Sequence, residues 1–165
     1  MIKIILTDID GVLTDGRIVI SEKGELTAFF DVKDGHMIKM AQKAGLIVGA
    51  ISGRSSKANF YRMNELGITE LYQDCHKKLP QAEIIIKKYD LSWNQTAYIG
   101  DDVIDIPVLR KVGFSACPAD AAEEVKEYVD FVSNYNGGRR ALKEIIIAIL
   151  KKNGQWQKVL SDYLE

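Results

Sequence analysis

Residues 2–16 read IKIILTDIDGVLTDG, and the rest of the chain is organised by how that stretch is understood. Ile2 to Thr7 is a short apolar run rich in β-branched residues, the length and composition of a buried strand. It ends in Asp8 and Asp10, one residue apart and followed by Gly11. Two like charges at a strand end repel, so a chain that places them there implies something to hold between them. A bend at Gly11 lets both side chains leave the alternating strand pattern and approach one ligand.

Working outward, further short runs with strand character occupy Leu46 to Ile51, Thr96 to Ile99 and Phe114 to Ala116. Between them helical spacing recurs in Met37, Met40, Ala41 and Ala44, in Leu79, Ala82, Ile86 and Tyr89, and in Leu142, Ile145, Ile146, Ile149 and Leu150. Strands alternating with helices predict an α/β fold, a three-layer, Rossmann-like, doubly wound parallel sheet covered on both faces. One insertion interrupts the alternation. In residues 17–30, Ile18 and Ile20 precede a turn at Glu22-Lys23-Gly24, and Leu26, Ala28 and Phe30 follow it, which is hairpin periodicity. A small β-hairpin flap is expected at about 14–30, with no large cap domain. After Asn153-Gly154, residues 153–165 form a tail or a short extra helix.

At 165 residues with 47% hydrophobic side chains, the chain is expected to fold as one domain, 1–165, around a single core. A formal charge of −1 with scattered basic residues gives no footprint for nucleic acid. Cys75 and Cys117 lack zinc spacing and are too few for a disulfide framework, so both are expected as free thiols in a cytoplasmic protein. No apolar stretch reaches the ~20 residues that span a bilayer, and no secretory leader is read at the start. His36 and His76 show neither triad nor metal spacing, and Trp93 and Trp156 form no stacking array.

Three strand-like runs end in polar residues: Asp8, Ser52 in LIVGAISGR, and Asp101 in TAYIGDD. The carboxyl ends of parallel strands lie along one edge, where open α/β sheets bind ligands at the switch in strand order. These residues are therefore expected to meet. Crowded carboxylates need a proton or a cation, and an all-oxygen ligand set without His or Cys suits Mg²⁺ bound alongside a phosphate oxygen. Asp8 then serves as nucleophile and ligand, while Asp10, protonated for part of the cycle, gives a proton to a leaving oxygen.

These residues resemble the haloacid dehalogenase superfamily of phosphatases: DIDGVLTDG its first motif, ISGR its second, the lysine of HKKL its third and GDDVID its fourth. The order is kept over residues 8–105. Through TDGRI, FFDVKDGHMIK, LGITELYQ, YIGDDVIDIPVL and GGRRALKE the resemblance extends to the capless, tetramer-forming subgroup that acts on 3-deoxy-D-manno-octulosonate 8-phosphate in lipopolysaccharide precursor synthesis. It implies that Asp8 forms an aspartyl-phosphate and that Asp10 is general acid, then general base. Ser52 would hold a phosphoryl oxygen, and a lysine would neutralise the phosphate and orient Asp8. Lys77 and Lys78 are adjacent and only one can face the site; Lys78 is chosen because it precedes Leu79 as in the resembled motif. The resemblance gives Mg²⁺ the Asp8 carboxylate, the Asp10 carbonyl and Asp101, with Asp105 in support. Arg54 and, eight residues on, Arg62, about two turns along a helix beginning near Ser55, are expected to reach the same side of the cleft and bind the sugar acid's carboxylate or phosphate. Lys33 and Asp34 match the subgroup and are taken as substrate-binding, although Asp34 also suits a helix cap. Gly137-Gly138-Arg139 reads as a turn before the last long helix, and in the resembled subgroup as a contact near the site or a subunit interface. The partners implied are a small sugar-acid phosphate and further copies in a homotetramer. A phosphatase for a related nine-carbon keto-sugar acid, a phospho-accepting receiver and a non-catalytic oligomerisation module are the competing readings.

Overall fold

The computed structural model describes residues 1–24 and 26–164, with Leu26 described through its backbone. Glu25 of the expected flap, the facing of Leu26, and Glu165 at the end of the tail lie outside the described residues.

Six parallel strands form the central sheet: β1 (Ile4–Thr7), β4 (Ile47–Ile51), β5 (Glu70–Tyr72), β6 (Thr96–Ile99), β7 (Phe114–Cys117) and β8 (Phe131–Val132). A separate hairpin pairs β2 (Val19–Ile20) with β3 (Leu26–Thr27). The order of the large sheet is β5-β4-β1-β6-β7-β8. From β1 the chain winds outward to β4 and β5, returns to β6 on the other side, and then winds outward again. The switch point therefore lies between β1 and β6, and Asp8 N–H donates to the Ile99 carbonyl across it at 2.9 Å.

Alternation along the strands feeds two cores. Ile5, Val48, Ala50, Ala97 and Ile99 face one layer, with α1 (Val32–Lys43), α2 (Lys57–Glu65) and α6 (Ala141–Lys152) packed against them. Ile4, Leu6, Ile51 and Tyr98 face the other, under α3 (Lys78–Lys88), α4 (Ile106–Leu109) and α5 (Glu123–Lys126). In α6, Leu142, Ile145, Ile146, Ile149 and Leu150 are fully buried, each contributing about 1.5–3 kcal/mol of burial. The tail forms α7 (Trp156–Ser161). It is tied down where α6 ends, since the Asn153 side chain accepts from Ile2 N–H at 2.9 Å and donates to Ile2 C=O at 2.8 Å.

Helix starts follow local chemistry. Asp31 caps α1 by accepting from Lys33 N–H at 2.6 Å, and Ser56 caps α2 by accepting from Asn59 N–H at 3.0 Å. The hairpin turn expected at Glu22-Lys23-Gly24 is present, with Gly24 at φ +76. However, Ile18, Val19 and Ile20 are all exposed, so the first arm of the hairpin is not buried within one chain, whereas Phe30 beyond the second arm packs against the core.

Candidate active site

The carboxyl ends of β1, β4 and β6 bring Asp8, Ser52 and Asp101 to one edge, and α3 delivers a lysine to it from its first residue. Lys78, 1% exposed, places Nζ 2.6 Å from Asp8 Oδ2 and 2.7 Å from Asp105 Oδ1. Lys77 points to solvent. A buried ammonium is costly unless paired, and here two carboxylates pair it. Burial opposes the charged ammonium, yet Asp8 and Asp105 outweigh that and raise its pKa.

Asp105 is fully buried and fully engaged. Oδ1 accepts from Lys78 and from the Tyr98 hydroxyl at 2.7 Å, while Oδ2 accepts from Asp101 N–H at 3.1 Å and Asp102 N–H at 3.3 Å. Its role is accordingly to hold Lys78 and the 101–105 turn, consistent with support behind a cation rather than direct ligation. Tyr98, missed by reasoning from the sequence, had one legible signal: a tyrosine inside a buried strand needs a partner for its hydroxyl.

Asp8 Oδ1 accepts from Ile9 N–H at 2.7 Å. Burial pushes Asp8 up to about 7 against the pull of Lys78, and Asp105 adds to the upward push. Asp101 is pushed to about 8 by burial and by the neighbouring carboxylates of Asp8 and Asp105. One oxygen each from Asp8, Asp101 and Asp105 lies within 4.8 Å of the others. Asp101 Oδ1 is buried and accepts no hydrogen bond among the described residues. An orphaned buried oxygen in an all-carboxylate cluster fits a hard divalent cation such as Mg²⁺. Gly11, at φ +85, is needed for this approach, because a Cβ there would come 1.9 Å from Asp101 Oδ2.

The Asp10 carboxylate stands outside that cluster, partly exposed, with Arg54 Nε 3.9 Å from its Oδ2. Burial raises its pKa despite Arg54 and Lys78. Ser52 is buried at the end of β4, and its hydroxyl oxygen accepts from Arg54 N–H at 3.1 Å and donates to Arg54 C=O at 3.0 Å. Asp10 and Arg54 line a narrow cleft together with Ile18 and Thr27 of the hairpin region and Asn59 of α2.

Three residues expected to bind substrate are placed elsewhere. Asp34 is 1% exposed, and its oxygens accept from Arg140 N–H at 3.3 Å and Lys143 N–H at 2.7 Å, so it caps α6 rather than facing a ligand. The cap of its own helix is Asp31. Arg62 pairs with Glu65 at 2.8 Å and lies over Phe30, its seat on α1 made by Gly35, where a Cβ would come 2.3 Å from Nη2. It does not join Arg54. Lys33 lines a different cleft of about 580 Å³ with Asp15, Arg17, Phe29 and Arg139.

Residues 57–145 match the haloacid dehalogenase-like hydrolase family. The chain is 38% identical over 154 residues to the 3-deoxy-D-manno-octulosonate 8-phosphate phosphatase KdsC of Escherichia coli strain K12, covering 93% of this chain and 82% of that protein. It superimposes on a probable YrbI family phosphatase from Pseudomonas syringae with a TM-score of 0.97 at 37% identity, covering 99% of this chain and 93% of the other. The 3-deoxy-D-manno-octulosonate 8-phosphate phosphatase of Moraxella catarrhalis, crystallised with magnesium, phosphate and KDO, aligns with a TM-score of 0.95 at 31% identity, covering 98% of this chain and 93% of that one. With acidic strand ends meeting at the sheet's switch point beside a buried lysine, the chain belongs to the haloacid dehalogenase-like hydrolases, in the family of the 3-deoxy-D-manno-octulosonate 8-phosphate phosphatases.

Proposed function

We propose that the chain is a Mg²⁺-dependent phosphatase that hydrolyses 3-deoxy-D-manno-octulosonate 8-phosphate to the free sugar acid and phosphate, in lipopolysaccharide precursor synthesis. The observation that carries this reading is the buried Lys78 bridging Asp8 and Asp105, beside an Asp101 oxygen that no described residue satisfies. The choice of sugar is supported by the substrate after which the relatives are named and by the KDO and phosphate bound in the Moraxella catarrhalis protein.

Mg²⁺ held by the Asp8 carboxylate, the Asp10 carbonyl and Asp101 would supply charge neutralisation to the phosphoryl oxygens. Asp8 carries the nucleophilic oxygen: its bond to phosphorus forms as the bond from phosphorus to the sugar oxygen breaks. Asp10 gives that departing oxygen a proton, and burial holds its carboxyl toward the protonated form that this needs. In the second half Asp10 takes a proton from water, the water oxygen bonds to phosphorus, and Asp8 is released as a carboxylate. Lys78 keeps Asp8 oriented and offsets the phosphate's charge, Ser52 holds a phosphoryl oxygen, and Arg54 receives the sugar acid's carboxylate.

We take residues 1–165 as one hydrolase domain, with the hairpin as flap, and the working unit as a cytoplasmic homotetramer. Ile18, Val19, Ile20 and Phe29 support the assembly, since a two-stranded hairpin is marginal alone and these exposed apolar side chains need cover. Free thiols at Cys75 and Cys117 accord with a reducing compartment. Sedimentation of a pure monomer would remove the tetramer.

Phosphate release from a panel of sugar phosphates, with and without Mg²⁺, tests the function. Preferential, Mg²⁺-dependent turnover of 3-deoxy-D-manno-octulosonate 8-phosphate is expected; faster turnover of a nine-carbon keto-sugar acid phosphate would reassign the substrate. Arg54→Glu is expected to impair the acidic sugar more than a neutral phosphate ester, and equal losses would remove Arg54 from substrate selection.

A further inference from the structure

The turn at Gly137–Arg140 has no part in the chemistry above, yet it is built against the loop that carries Asp8 and Asp10. A Cβ at Gly137 would lie 1.8 Å from the Gly11 carbonyl oxygen and 2.6 Å from its carbon. A Cβ at Gly138, which sits at φ +62, would lie 2.6 Å from both Asp15 N and Thr14 C. Gly138 N–H also donates to the Val12 carbonyl at 2.9 Å. Two backbones in such contact leave no room for a side chain, and the peptide they touch is the one on which the Asp101 carboxylate rests. Gly11 is thus held between the turn and Asp101.

The turn is itself anchored from two distant parts of the chain. Asp120 Oδ1 accepts from Gly137 N–H at 2.8 Å. Asp34, buried in α1, accepts from Arg140 and Lys143 N–H groups in the first turn of α6. Arg140 adopts φ +81, a left-handed conformation that a non-glycine residue keeps only when its surroundings impose it. Neither Asp34 nor Asp120 touches a reacting atom, so both act through what they hold.

We propose that the Gly137–Arg140 turn, anchored by Asp34 and Asp120, is a positioning element that presses Gly11 against Asp101 and so sets the spacing of the carboxylates that share the cation. The inference rests on the Mg²⁺ site put forward under the proposed function. It assigns Asp34 a task in the enzyme different from substrate binding, and gives the double glycine a reason beyond turn geometry.

The test is calorimetric titration of metal-free protein with Mg²⁺, for wild type, Gly137→Ala, Asp120→Ala and Asp120→Asn, with thermal melting of each metal-free protein in parallel. Gly137→Ala is expected to weaken Mg²⁺ binding by about tenfold or more, as loss of support behind a metal ligand does. Its KM for the sugar phosphate at saturating Mg²⁺ should stay near the wild-type value. Asp120→Ala should shift Mg²⁺ affinity in the same direction, and Asp120→Asn, which keeps an acceptor for Gly137 N–H, should restore it. A folded Gly137→Ala that binds Mg²⁺ as wild type does would overturn the proposal. If that variant fails to fold, wild-type affinity in the surface variant Asp120→Ala would overturn it instead. Wild-type protein that neither binds Mg²⁺ nor releases phosphate would defeat the functional reading and this inference together, whereas failure of the variants alone would leave the functional reading standing.

Discussion

Two buried carboxylate clusters on this sheet contain a lysine, and they are built to opposite ends. At the outer strand, Glu70 accepts from Lys88 Nζ at 2.6 Å, the Tyr89 hydroxyl at 2.6 Å and the Tyr72 hydroxyl at 2.9 Å. Burial is the largest influence on Glu70 and acts upward, but those donors together win and its pKa is lowered. At the switch point, Asp8 and Asp101 are pushed up to about 7 and about 8, and one Asp101 oxygen has no donor among the described residues. The first cluster is complete as it stands. The second is complete only with a cation, and that incompleteness separates a structural carboxylate from a working one more sharply than burial or charge does.

The largest effect is expected from Asp8→Asn, which should cut phosphate release by at least about 10⁴-fold, as loss of a nucleophile does, while circular dichroism shows the fold retained. A wild-type rate would contradict the nucleophile assignment. Next comes Lys78→Met, which leaves Asp8 and Asp105 facing each other without their cation. Urea unfolding at pH 8 should show a loss of about 3–5 kcal/mol. Lys88→Met should cost visibly less, because Glu70 keeps both tyrosine donors; equal losses would erase the distinction between the clusters. Smaller still is Glu70→Gln, at about 1–2 kcal/mol. A lowered folded pKa contributes stability above the unfolded value of about 4.3 and loses it as pH falls through the folded value. The gap between variant and wild type should therefore be widest near neutrality and close below about pH 4. A gap that widens on acidification would show that Glu70 is not held ionised by its donors.

Much of this was legible in the chain. The four central strands announce themselves as short, largely apolar runs, β-branched in β1, β4 and β6, and the edge that gathers Asp8, Ser52 and Asp101 follows from parallel topology alone. Outer strands β5 and β8 did not show, being two or three residues long and carrying polar side chains such as Glu70. Lys78 was chosen over Lys77 by its place before Leu79, and the register of α3, whose first residue it is, turns it inward. That Asp34 caps α6 rather than its own helix was not legible, because its partners lie 106 and 109 residues away at the start of α6, and no local pattern encodes a cap offered by another helix. Spacing put Arg62 on the same side of the cleft as Arg54, but Glu65 and the gap at Gly35 draw it to α1.

Whether Asp8 and Asp101 share one divalent ion is tested most directly by titrating metal-free protein with Mg²⁺ at pH 6, 7 and 8. Both carboxyls are held toward the protonated form, and a proton on either one competes with the cation. Binding should therefore tighten as pH rises through about 7 to 8, release protons, and disappear in Asp101→Asn. Affinity that is flat across that range, or that survives Asp101→Asn, would contradict the shared site.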